Sequence, residues 1–221
     1  VNMTESIGQE FMRRTRYSEI SQSPQDQGII PQPPLELPIP PDVTLIDLPA
    51  PASFEVPAMD LRTAIEQRKT LRKYADLSLT LQELSYLLWV SQGVKRISSR
   101  PSTARTVPSA GARHAFETYL LINRVDGLEP WLYRYAAIEN KLFKVEADAE
   151  INAQVTAACL NQSQVATSAV TFIWVAVVER MFWRYVERGY RYLHLDAGHV
   201  CQNLALGAEQ LACGICPIAA F

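Results

Sequence analysis

The sequence predicts an α+β domain behind an extended arm. Three observations support that class: most of the 14 prolines lie between residues 22 and 57, helical and strand-like apolar periods mix irregularly after residue 60, and no βαβ repeat occurs. A chain of 221 residues suits one well-filled core plus such an arm, divided here as residues 1–59 and 60–221.

In the arm, stretches such as IIPQPPLELPIPPDV combine a fixed φ with missing amide donors, which excludes helix and central strand. Its apolar residues, Ile29, Ile30, Leu35, Leu37 and Ile39 among them, are too many for a free linker, so the arm is expected to lie on the domain or on a partner chain.

Within the domain, Asp60 caps a helix running to Arg68. Thr80 opens a second helix, where Glu83 completes a capping box and Leu84, Leu87 and Leu88 form the buried stripe. Residues 116–123, 127–135 and 141–145 read as strands, the last two joined by a polar turn at Glu139 and Asn140. Residues 148–161 read as helix and 169–178 as a buried strand. A long helical region, 181–212, stops before Gly214; its Ala197, Gly198, Gly207 and Ala208 allow close packing, including across a subunit interface.

A net charge of −2, from 21 basic and 23 acidic residues spread without a block, argues against nucleic acid as a partner. The longest apolar run, Ala169–Val178, is about half the length that spans a bilayer, so no membrane partner is expected. With no secretory pattern at the amino terminus and four sparse cysteines, the expected location is cytoplasmic.

The chain ends in CGICPIAAF. A redox dithiol places its first thiol at a helix N-terminus, whereas Cys213 follows a helix and Cys216 sits among apolar residues. Two small buried hydrophobes is the better reading, and no second Cys or His pair accompanies them for a metal. His114, His194 and His199 read as core or helix-surface histidines. What matters in this segment is PIAAF, whose small residues let a flat ligand lie against backbone.

Two other segments carry possible chemistry. Arg68-Lys69-Thr70-Leu71-Arg72-Lys73-Tyr74 puts four cations and a hydroxyl into seven residues, suited to phosphate oxygens, although alone it reads as a solvated charge cluster. Arg105–His114 (RTVPSAGARH) is a Pro/Ser/Gly loop entering a strand, able to present backbone donors.

The order RKTLRKY, then RTVPSAGARHAFETYLLI, then FWRYVERGYRYLHLDAGHVCQNLALGAEQLACGICPIAAF resembles the nitroreductase family of FMN proteins, and within it the SagB-type dehydrogenases; GQEFMRRTRYS is similar to that branch's amino-terminal extension. The resemblance implies a three-layer α/β/α sandwich with a mostly antiparallel sheet, an intertwined homodimer, and FMN at the interface. It implies that Arg68, Lys69, Thr70 and Arg72 hold the phosphate and ribityl chain. Pro108, Ser109, Ala110 and Gly111 would cover the isoalloxazine from the other subunit. Pro217, Ile218, Ala219 and Ala220 would run along the ring, with Asn203 an additional candidate for which a plain buried amide is an equal reading.

The implied activity is hydride or electron transfer between flavin and a small-molecule or peptide substrate, with NAD(P)H a candidate donor; the rival is a flavin-poor structural member of the same fold. Members that oxidise azoline rings resemble one another in a Lys-Tyr pair where this chain has Arg184-Tyr185. Arginine essentially cannot lose its proton, which puts azoline dehydrogenation in doubt; Tyr185 remains a candidate proton donor, although among Phe182, Trp183, Tyr190 and Tyr192 a packing aromatic is the better reading. Family members also continue past PIAAF into a further helix, so a C-terminal truncation is one expectation for a chain ending at Phe221.

Overall fold

The computed structural model describes residues 5–99 and 101–221, so residues 1–4 of the arm and Arg100 lie outside the description. Its centre is a five-stranded antiparallel sheet in the order β1-β6-β5-β4-β7. The strands are β1 (Ile46–Asp47), β4 (Phe116–Ile122), β5 (Trp131–Ala136), β6 (Lys141–Lys144) and β7 (Val170–Ala176). A separate hairpin pairs β2 (Val94–Ile97) with β3 (Thr103–Arg105). The class is therefore α+β, as the mixed periodicities imply.

Alternation along the strands decides what each face meets. Leu120 and Ile122 of β4 share a face with Tyr133 and Tyr135 of β5 and Leu142 of β6, and all five are buried against Leu84 and Leu88 of α4 (Leu81–Gln92). That helix starts as its sequence requires: the Thr80 hydroxyl accepts from the Glu83 amide at 3.2 Å, and the Glu83 carboxylate accepts from the Thr80 amide at 2.7 Å. Nearby, α8 (Gly189–Gln210) packs on α4, placing Leu204 and Ala208 beside Leu87, Phe172 and Trp174.

The opposite face carries charge, and the arm covers it. Glu117 and Arg134 are both nearly inaccessible, and Arg180 reaches the same Glu117 carboxylate from α7 (Val178–Tyr185). The arm adds hydrogen bonds to all three. Leu37 donates its amide to Glu117 at 2.9 Å, Arg134 donates to the carbonyls of Leu37 and Pro38, and Arg180 donates to that of Pro34. Glu36 accepts from the amides of Ala137 and Ile138. Backbone carbonyls that proline leaves without helix or sheet partners are thus used by buried guanidinium groups. Further along, Ile46 and Asp47 form the edge strand on β6.

Four differences from the sequence reading have local causes. The second expected strand begins at Trp131 rather than Gly127, because residues 125–128 form a turn and Pro130 has no amide to pair. Helix α5 (Ile151–Ala158) is followed by a separate α6 (Ser163–Thr167), with Leu160 and Asn161 at positive φ between them. The long helical region divides at Val186, whose φ of 48° ends α7 and leads through a short 3-10 turn into α8. Within the arm, two short helices stand where an extended chain was expected, α1 (Ile7–Arg14) capped by Ser6 and Gln9 and α2 (Pro24–Gln27) capped by Ser23; after it, α3 (Leu61–Gln67) starts at the expected Asp60 cap.

Candidate functional site

The cation segment begins where α3 ends, at Arg68. Thr70 makes a parallel bridge with Ile215, and Leu71 donates its amide to the Ile215 carbonyl at 2.9 Å. Two stretches 145 residues apart in sequence, RKTLRKY and GICPIAAF, therefore run side by side. Gly214 permits the approach: a Cβ there would lie 2.4 Å from Leu71 Cδ1 and 3.0 Å from Leu71 Cβ. Lys69, Arg72 and Lys73 are exposed, Arg68 is half-buried near Cys201 of α8, and none of the four is in an ion pair among the described residues. Beside them, Pro217, Ala219 and Ala220 are exposed and Ile218 is half-buried. Four unneutralised cations against a strip of small residues suit an anionic tail joined to a flat body.

The cysteines of that strip are free, and burial pushes the Cys213 thiol up, as it does that of Cys201 on α8. A raised thiol pKa disfavours the thiolate that redox exchange needs. Tyr74 is pushed up to about 12, mainly by burial, and stays neutral.

The Pro108–Gly111 loop lies at a second locus, where α7 meets α8. Asp196, inside α8 and 4% exposed, accepts from the Ala110 amide at 3.3 Å, while its Oδ2 has no hydrogen-bond partner among the described residues; burial raises its pKa. Ser109 accepts from the His114 amide at 2.9 Å, which closes the loop. Pro108 and Gly111 are exposed, and Gly111 has φ of 58°. A Cβ on Gly111 would meet the Tyr185 hydroxyl at 2.5 Å and Arg184 Nε at 2.7 Å, so this loop and the Arg184–Tyr185 pair form one corner. There Arg184 Nε donates to the Tyr185 hydroxyl at 3.2 Å and Nη1 to Gln25 Oε1 at 3.1 Å. The Tyr185 proton is left free for another acceptor, because a guanidinium can only donate.

Asn203 belongs to neither locus by its contacts. Its Nδ2 donates to the carbonyls of Val90 at 3.0 Å and Thr106 at 3.4 Å, tying α8 to α4 and to the strand leading into the loop. His114 is buried, and desolvation lowers it to about 3, so it is a neutral core group.

Sequence reasoning passed over Asp196, Gln25 and Arg113. Asp196 had a signal: it interrupts the apolar stripe of Leu193, Val200 and Leu204 at helical spacing, and a carboxylate there needs a partner. Arg113 had a weaker one, as a cation inside the loop; it donates to the Gly111 carbonyl at 3.0 Å and lies over the Trp183 ring. Gln25 had none, since its contact with Arg184 spans 159 residues.

Comparison with known proteins places these loci in a family. The profile of the nitroreductase family matches residues 65–221. A protein of Methanocaldococcus jannaschii named as a nitroreductase is 32% identical over 167 residues, covering 76% of this chain and 82% of its own. The trifolitoxin-processing protein TfxB of Rhizobium leguminosarum bv. trifolii is 30% identical over 132 residues, covering 58% of this chain, which spans only 35% of that protein. A crystal structure named for a nitroreductase from Anabaena variabilis superposes with a TM-score of 0.61 at 27% identity, over 79% of this chain and 35% of that one. The matched region contains four of the five sheet strands, the cation segment, the loop and the terminal strip together, and the chain belongs to the nitroreductase family.

Proposed function

We propose that the chain is an FMN-dependent oxidoreductase of the SagB-like branch, acting as a homodimer on a small-molecule or peptide substrate. The observation that carries this reading is the Thr70–Ile215 bridge, which sets unpaired cations beside an exposed strip of small residues. Arg68, Lys69, Thr70 and Arg72 would hold the phosphate and ribityl oxygens, and Pro217, Ile218, Ala219 and Ala220 would line the ring. FMN, when bound there, supplies the hydride-carrying chemistry.

In such a dimer the Pro108–Gly111 loop, anchored to α7 and α8 of its own chain, would cover the ring bound by the second copy. The outward side of α8 supports the same dimer: Leu195 is 58% exposed, and Gly198 faces open space. In the corner below the loop, Arg184 orients the Tyr185 hydroxyl so that its proton points away from the guanidinium. Arginine cannot serve as a base, so the pair would position and protonate substrate rather than abstract a proton. TfxB, by its name a toxin-processing protein, supports a toxin undergoing processing as one substrate class.

Purified protein mixed with FMN and passed through a sizing column tests the reading. Flavin eluting with protein at the mass of a dimer is expected. Flavin eluting only as free dye would favour the rival, a structural member of the fold, which Arg184 in the place of lysine already suits.

A further inference from the structure

A cavity of about 280 Å³ opens where the amino-terminal arm meets the Arg184–Tyr185 corner. From the arm come Tyr17, Ser21, Ser23 and Gln25, and from α7 come Arg184 and Tyr185. Arg184 is fixed there by its two hydrogen bonds, yet it has no ion pair with any carboxylate among the described residues. Asp26, also on the wall, is engaged by the Ser23 hydroxyl at 2.7 Å as the cap of its own helical turn. Behind Arg184, Arg113 is 9% exposed, lies 5.4 Å from the Trp183 ring and makes one hydrogen bond, from Nε to the Gly111 carbonyl. Two cations, one buried and neither in an ion pair among the described residues, outnumber the one carboxylate on the wall, Asp26, so the cavity's charge balance remains positive.

We propose that this cavity is a substrate-binding subsite for a carboxylate, with Arg184 as its fork and the arm residue Gln25 as the group that aims it. The subsite deepens the oxidoreductase reading, on which its role toward substrate rests. A guanidinium pre-set by neighbours loses little freedom on binding, and its planar fork matches a carboxylate's two oxygens. Ser21 lines the same wall and offers a hydroxyl donor, whereas the Ser23 proton is already given to Asp26. The volume is near the lower end for small-ligand sites, which limits the occupant to a short acid or a chain terminus. Specificity for an acidic substrate would thus reside in the arm as well as in the domain.

The test is a titration of ¹⁵N-labelled protein with N-acetylglycine, followed at the Arg184 Nε–Hε resonance, beside identical titrations with N-acetylglycinamide and inorganic phosphate. A saturable shift at millimolar concentration with the acid, and at least tenfold weaker response to the amide, is expected. Arg184→Gln should remove the binding, read then at the neighbouring Tyr185 and Gly111 amides, and Gln25→Ala should weaken it roughly threefold. Equal response to acid and amide, tighter binding of phosphate, or unchanged binding in both variants would overturn the proposal. Flavin absorbance recorded on the same samples keeps the two readings separate, because carboxylate binding at this resonance does not require flavin. Should Arg184→Gln fail to fold, Gln25→Ala still decides.

Discussion

Leu71 donates its amide to the Ile215 carbonyl at 2.9 Å, and Gly214, next to that carbonyl's residue, leaves room for the Leu71 side chain. One backbone bond and one missing Cβ thus hold the cation segment against the end of the chain. Gly214→Val forces the two strips apart. The expected cost is about 1–3 kcal/mol by overpacking, with FMN affinity falling together with stability. Urea midpoints and FMN titrations measure both, and a variant with neither change would show that the contact does not shape the site.

Arg68→Ala and Arg72→Ala should each weaken FMN binding by roughly 10- to 100-fold, since a hydrogen bond to a charged group contributes about 1.5–3 kcal/mol. Raising salt should weaken binding in the unaltered protein more than in the variants. Identical salt dependence in all three would remove the phosphate assignment.

The arm is held by charge, so its carboxylates should differ sharply in importance. Glu117→Gln strips the buried partner from Arg180 and Arg134 and is expected to cost about 3–5 kcal/mol. Glu36→Gln keeps an acceptor for the Ala137 and Ile138 amides and removes a charge whose pKa is raised by burial and by Glu117. At neutral pH it should stay within about 0.5 kcal/mol of the parent. Chemical denaturation of the pair measures this contrast; equal losses would mean that the arm is not locked by Glu117.

His114 sets an acid limit. Its folded pKa, about 3, lies below the unfolded value of about 6.5, so the unfolded chain takes up the proton first. The neutral ring's contribution is complete above about pH 6.5 and is lost as pH falls from there toward about 3. Between pH 7 and 5 the protein should lose about 2 kcal/mol more than His114→Asn, asparagine being chosen because His114 has positive φ. Parallel pH dependences in the two proteins would contradict a buried neutral imidazole.

How much of this the sequence disclosed depends on the range of the interaction. The Thr80–Glu83 capping box and the Asp60 cap are three-residue features, and both formed where expected. The Ser6–Gln9 box carries the same three-residue signal at the start of α1. The break at Val186 had only a weak local sign, Gly189 three residues on, because the residue that takes positive φ is a β-branched valine. Glu117 looked like one polar residue in an apolar strand; its meaning depends on Leu37, 80 residues earlier. The candidate site shows the same division. Its cations and its terminal strip were legible as composition, whereas their adjacency, and the corner shared by Gly111, Arg184 and Gln25, came only from tertiary packing.

The measurement that bears most directly on the proposed cofactor site is an absorbance titration of the purified protein with FMN, from 300 to 550 nm, run beside Arg68→Ala. Perturbed bands near roughly 370 and 450 nm, saturating at one flavin per chain and weakened in the variant, are the expected result for a bound flavin. A spectrum that remains that of free FMN in both proteins would contradict it.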